Sequence, residues 1–216
     1  MRFTIGFAKQ VWAGLLVLLA LTVVLGVIYP AAVWGVSRIS SGSAEGSPVT
    51  DAAGCVVGSA WVGVDPQVAE GQQDPFFHNR VVGSVSDEDP FATGDPAAAL
   101  PSNQGPSSEI LAGFVIERRA AIAAREGVDP ASVPVDAVTG SGSGIDPHIS
   151  PAYAELQVER VAANNGISEE KVRDLVAEHT DGRQLGFLGV ERVNVLELNL
   201  ALGLTAPTCA TPTTGG

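Results

Sequence analysis

Residues 141–151, SGSGIDPHISP, gather more reactive side chains than any other stretch of the chain. Ser141 or Ser143, with His148 or His179 and Asp146, offers an alcohol, an imidazole base and a carboxylate to orient it. Those are the parts of a nucleophilic triad. The spacing speaks against one. A hydrolase elbow G-x-S-x-G needs serine at its centre, and the centre of GSGSG is Gly142. A glycine turn with serine caps is the simpler reading. His78, His148 and His179 stand far apart without paired ligand spacing, so no metal site is read from them. The chain has no G-x-x-x-x-G-K-[ST] phosphate loop. Its two cysteines, Cys55 and Cys209, would form a disulfide in an oxidising compartment. The alternative is one core thiol and one dispensable thiol in the tail.

Several elements must position these residues. GCVVGSAWVGV, residues 54–64, alternates as a strand does, and PFFHNR, residues 75–80, reads as a second extended segment. Residues 83–108 are rich in Gly, Pro, Ser and Asp and form a long loop. Ser107 or Ser108 caps a helix over 110–126, with Ile110, Phe114, Glu117 and Ala121 near one face. VPVDAV, residues 133–138, reads as a short extended run. Ser150 followed by Pro151 begins a helix that carries Leu156, Val158 and Val161 and stops near Asn164-Asn165-Gly166. Ser168 caps another, with Glu169 and Glu170 in its first turn. Residues 193–202 fit both a strand, by the alternation of Val193 and Val195, and a helix capped by Asn194; the helix is preferred. The Thr/Pro/Gly-rich tail, 205–216, is expected to be disordered.

The amino-terminal part differs in kind. No residue between Lys9 and Arg38 is charged, and VWAGLLVLLALTVVLGVIY spans residues 11–29. About 20 apolar residues are needed to cross a bilayer as a helix. Trp12 and Trp34 bracket the run, about 33 Å apart at a helical rise, which suits indole rings at both interfaces. A cleaved signal peptide is the rival, but its apolar region would be shorter and PAAVWG offers no good cleavage site. Arg2 and Lys9 precede the helix, and after Arg38 the next base is Arg80. The positive-inside rule then puts residues 1–10 in the cytoplasm and the bulk of the chain outside. Residues 11–36 are the expected transmembrane helix, 37–54 a polar linker and 55–204 an extracytoplasmic domain. The fold class is α/β (α+β), anchored by this one helix.

The chain of 216 residues carries 12 bases and 24 acids, net charge −12. All 24 acids follow Arg38, with nine of the bases, so residues 39–216 carry −15. This balance excludes the basic surface that a nucleic-acid binder needs. With 45% hydrophobic residues, whole-chain disorder is excluded as well.

Residues 141–162, SGSGIDPHISPAYAELQVERVA, resemble the signature of the KdpC family, the C subunits of bacterial Kdp potassium-transporting P-type ATPases. RVNVLELNLAL (192–202), VVGSAWVG (56–63), FFHNR (76–80), SNQGPS (102–107) and Tyr29-Pro30 support the resemblance, which runs to about Leu204. Arg80-Val81-Val82, where the family has R-P-S, and Ala99-Leu100-Pro101 before Ser102-Asn103 depart from it; the cysteines and the tail lie outside the pattern. The resemblance implies a non-catalytic accessory subunit in the cell membrane, needed for assembly and activity of a potassium uptake complex. It implies three partners besides lipid: a channel-like potassium-binding subunit, an ATP-hydrolysing P-type subunit and a small single-span subunit. It also implies a catalytic-chaperone role that raises the ATP affinity of the ATPase subunit, with ATP as a family-level ligand, although the topology above separates the domain from cytoplasmic ATP. The motif residues it marks for an interface or a ligand are Asn103, Gly105, Pro106, Ser107, Ser141, Ser143, Asp146, His148, Ser150, Gln157, Arg160, Asn194 and Asn199. The competing class is a single-pass extracytoplasmic sensor or ligand-binding domain, which would ordinarily bring a cytoplasmic output domain. A membrane-anchored hydrolase stands third.

Overall fold

A computed structural model describes residues 2–69, 71–86 and 88–206. The chain divides into two units, Met1–Ser47 and Pro48–Gly216.

The first unit is helical: α1 (Arg2–Val23), a π-helical turn (Val24–Ile28), α2 (Tyr29–Ser37), a 3-10 turn (Arg38–Ser40) and α3 (Ser41–Ala44). The π turn has a local cause. Pro30 has no N–H to donate, and its ring presses on the carbonyl four residues back. Widening the preceding turn relieves that contact, and the Tyr29 N–H accordingly reaches the Val24 carbonyl. The stretch Gly6–Ala44 is long and apolar enough to cross a membrane, and its apolar side chains are exposed on every side. A helix apolar all round and uncovered by protein calls for lipid. Residues 37–54, expected as a linker, contain the end of this helical stretch and the first strand.

The second unit mixes helices with two small antiparallel sheets, which is an α+β arrangement. Strands β1 (Pro48–Thr50) and β2 (Val56–Ser59) form one sheet. The other has the order β3-β5-β4, from β3 (His148–Ile149), β4 (Thr180–Asp181) and β5 (Arg192–Asn194). The helices are α4 (Glu109–Glu126), α5 (Val135–Val138), α6 (Pro151–Asn165), α7 (Glu169–Glu178) and α8 (Val195–Ala201). Phe77, Ile122, Val138, Tyr153, Val158, Val161, Val172, Val193 and Leu198 join in one core.

Three expectations are corrected. The strand expected over 54–64 is paired only from Val56 to Ser59, because the chain turns at Ala60 and Trp61. Residues 133–138 are not extended: Pro134 starts the helical turn α5, which buries Ala137 and Val138. Helix α4 buries Phe114, Arg118, Ile122, Ala123 and Glu126, whereas Ile110, Glu117 and Ala121 are exposed. Two of its buried residues are charged, so apolarity misled the choice of face. Residues 193–202 satisfy both readings, since Asn194 ends β5 and caps α8 by accepting the Glu197 N–H. Of the expected tail, 207–216 lie outside the described residues, as does the Cys55–Cys209 pairing; Cys55 itself is buried.

Candidate functional site

The segment 75–80, with bends at Phe76 and Arg80, buries Phe77 in the core of the second unit and joins neither sheet. Two fully buried carboxamides replace the missing strands. The Phe77 N–H donates to Asn199 Oδ1 at 2.8 Å, and Asn199 Nδ2 returns a bond to the Phe77 carbonyl at 2.8 Å. The His78 N–H donates to Gln157 Oε1 at 2.7 Å, and Gln157 Nε2 donates to the His78 carbonyl at 3.1 Å. Successive residues of an extended chain turn their N–H and C=O groups to opposite edges. Asn199 of α8 thus serves one edge and Gln157 of α6 the other. Both side chains are wholly buried, where an unpaired amide would be costly.

An ionic cluster locks the same segment. His78 Nδ1 lies 3.1 Å from Asp65 Oδ1, and Nε2 lies 2.5 Å from Asp74 Oδ2. Asp65 Oδ1 also accepts the Asn79 N–H at 3.0 Å. Arg160 reaches Asp74 at 3.2 Å and Glu126 at 2.9 Å, and donates to the carbonyls of Asp74 and Phe76 at 2.8 and 2.9 Å. Arg125 binds the other Glu126 oxygen at 2.6 Å and the Tyr153 hydroxyl at 3.0 Å. Three carboxylates thus face two guanidiniums and one imidazole. Burial pushes the His78 pKa down, but the bonds to Asp65 and Asp74 outweigh it and leave the imidazole above its ordinary value. Burial raises Asp74, yet His78 and Arg160 hold it below the usual carboxylate range. The cluster approaches neutrality when His78 is protonated, which is the only inexpensive way to bury so many charges.

The glycine-serine loop is a scaffold of turns. Gly144 stands at φ +74, and a Cβ there would lie 3.0 Å from the Leu100 carbonyl oxygen. The Gly144 N–H donates to Ser141 Oγ at 2.8 Å, the Ile145 N–H donates to Ser143 Oγ at 3.2 Å, and the two hydroxyls are 3.2 Å apart. Among the described residues no hydrogen bond joins either serine to His148 or His179, so the parts of a triad are not brought together. Asp146 Oδ1 accepts the His148 N–H at 3.0 Å and lies 3.2 Å from the ring Nδ1 of His148; Oδ2 lies 3.3 Å from Arg80 Nη1. Burial raises Asp146, but His148 and then Arg80 more than offset it and hold its pKa low. Arg80 also donates to the carbonyls of Thr139 and Gly140. Ser150 caps α6 through the Tyr153 N–H at 3.1 Å and passes its own N–H and hydroxyl to Asp136 at 2.8 and 2.9 Å. His148 pairs with Asn194 across β3 and β5, and Asn194 Nδ2 donates to the Ala60 carbonyl at 3.1 Å.

The structure therefore joins Asp146, His148 and Asn194 in one set of contacts, leaves Ser141 and Ser143 to the turn of their own loop and Ser150 to the start of α6, and gathers Gln157, Arg160 and Asn199 around the central segment. Asn103, Gly105, Pro106 and Ser107 are exposed in the loop before α4, and it is Ser108 whose hydroxyl caps that helix. Asp65, Asp74, Glu126, Arg125 and Asp136 were missed by sequence reasoning. Asp65 and Asp136 are isolated charges in apolar stretches, Arg125 and Glu126 read as the ordinary charged end of a helix, and only Asp74, four residues before His78, carried a positional signal. A cleft of about 190 Å³ opens over Arg80, Asp136, Asp146 and His148.

Comparison with known proteins places this arrangement in context. A family model described as "K+-transporting ATPase, c chain" matches residues 11–203. The "Potassium-transporting ATPase KdpC subunit" of Kineococcus radiotolerans is 49% identical over 202 residues, covering 92% of this chain and 95% of the relative. The protein of the same name from Streptomyces avermitilis is 43% identical over 208 residues, covering 90% and 93%. That from Mycobacterium tuberculosis is 43% identical over 199 residues, covering 90% and 97%.

Proposed function

The chain belongs to the KdpC family of potassium-transporting ATPase subunits, and from that premise we propose that it is a non-catalytic accessory subunit of an ATP-driven potassium uptake complex. It acts by presenting a rigid surface to the subunits that carry out transport and hydrolysis. The observation that carries this reading is how the motif residues are employed. Gln157, Arg160 and Asn199 hold the segment 75–80, while Asp146, His148 and Ser150 hold the turn that enters α6. A signature spent on backbone carbonyls and amides fixes shape, and shape is what an assembly subunit needs.

In this reading residues 11–36 span the cell membrane, 1–10 face the cytoplasm and 55–204 stand outside. The partners are the channel-like potassium-binding subunit, the ATP-hydrolysing P-type subunit and the small single-span subunit. Potassium is the cargo of the complex. ATP acts through the hydrolysing subunit, with any chaperone effect on its affinity transmitted by contact, and no residue of this chain is assigned to nucleotide. Deleting residues 11–29 tests the anchor as an assembly element. The truncated chain is expected to stay out of the complex, and its recovery in an intact, potassium-stimulated ATPase would overturn the proposal.

A further inference from the structure

Between β4 and β5 the chain leaves the core, and residues 181–190 are all exposed. The sequence there, Gln184 to Val190, reads QLGFLGV and has no charge. Leu185 is 82% exposed, Phe187 69% and Val190 67%, and Leu188 is exposed beside them. Four large apolar side chains crowded on one short loop are unusual on a soluble surface, and such patches mark contact with protein or lipid. The loop is also shaped. Gln184 and Leu188 exchange both backbone hydrogen bonds at 2.9 Å, and the Phe187 N–H donates to the Gln184 carbonyl at 3.2 Å. Leu185 is held at φ +54, a conformation a branched apolar residue rarely adopts. Lipid insertion requires apolar side chains but no such fixed backbone. A preformed finger suits a groove of matching shape.

The charge around the finger argues in the same direction. Val190 borders the 190 Å³ cleft, so finger and cleft form one continuous surface. Asp136, Asp146 and Glu191 line that cleft against Arg80 and Arg192, leaving it net negative. Residues 39–216 as a whole carry −15. Phosphate headgroups would repel this face, whereas basic side chains around an apolar groove would attract it.

Resting on the subunit reading above, we propose that residues 184–190 insert into an apolar groove, rimmed by Lys or Arg, on another protein subunit of the transport complex. Phe187 and Leu185 are the anchors, and the acidic cleft beside Val190 receives the basic rim. Aromatic anchors of this kind carry a large share of binding energy at protein interfaces.

The test uses the full chain expressed with its complex, with Phe187 replaced by the photo-crosslinker p-benzoylphenylalanine. Irradiation is expected to give a covalent adduct with an identified subunit of the ATPase, and none when the probe replaces the exposed Glu159 of α6. The double variant Leu185→Ser, Phe187→Ser is expected to lower the yield of co-purified complex at least ~10-fold. Its apolar side chains are already in water, so the domain should melt as before. Crosslinks to lipid alone, no crosslinks, or an undiminished yield from the double variant would overturn the proposal. An unsubstituted chain that fails to co-purify would instead remove the subunit reading on which it stands.

Discussion

Asn199 and Gln157 do the work that backbone does elsewhere. Each closes two hydrogen bonds to one residue of the segment 75–80, and each is wholly buried. Replacing Asn199 by Leu keeps the branched outline, with somewhat more bulk, but strands the N–H and C=O of Phe77. A buried group left without its partner costs about 1–3 kcal/mol. The variant should therefore lose on the order of 3 kcal/mol, about 6–12 °C in melting temperature for a chain of this size. Asn103→Gly makes the contrast. Asn103 is exposed at φ +56, a conformation glycine adopts freely, and the change should stay within about 0.5 kcal/mol. Melting of the full-length protein in detergent measures both, and equal shifts would contradict the assignment. These residues were legible in the sequence as a motif, but their task was not. The hydrogen bonds of Asn199 join positions 122 residues apart, a separation that no local pattern encodes.

At the scale of elements, helix starts were the most legible feature because a cap is a local device. Ser108, Ser150, Ser168 and Asn194 each accept the N–H three residues on. Elements fixed by packing were less legible. Residues 133–138 have the β-branched composition of a strand, yet a proline at the N-terminal edge and a core that needed Ala137 and Val138 turned them helical. The buried face of α4 was misplaced because Arg118 donates to the carbonyls of Pro90 and Val138 and Glu126 receives two arginines, so charge lies where apolar residues were sought. The caps themselves should differ in strength. Ser168→Ala removes one hydroxyl acceptor at a helix start and should cost about 1 kcal/mol. Ser150→Ala removes the same acceptor and also the hydroxyl donated to Asp136 at 2.9 Å, leaving that carboxylate with a single donor. It should cost about twice as much. Thermal melts of the two variants decide this, and a Ser150→Ala shift no larger than that of Ser168→Ala would show that the Asp136 bond adds nothing.

For the molecule as a whole, the ionic cluster around His78 makes a prediction about pH. The His78 pKa is raised above its ordinary 6.5, so its contribution to stability is fully present below about 6.5 and is lost as pH rises through the folded value. Asp74 and Asp146 are lowered from 3.8, so theirs is present above that value and is lost as pH falls through their folded values. Stability should therefore peak in mildly acid solution and decline on the alkaline side. Self-repulsion in a chain of net charge −12 would also weaken the fold as pH rises. Salt separates the two causes. Screening over about 8 Å at physiological ionic strength weakens repulsion between exposed charges. It leaves the buried cluster nearly intact, because Glu126 is inaccessible and His78 and Arg160 are close to it. The melting temperature of the full-length protein in detergent is thus expected to fall between about pH 6 and pH 9 even at high salt. His78→Gln, which cannot take a proton between Asp65 and Asp74, should start lower and lose that slope. If the variant keeps the wild-type slope at high salt, the alkaline loss belongs to the surface charge and not to the imidazole that joins the two carboxylates.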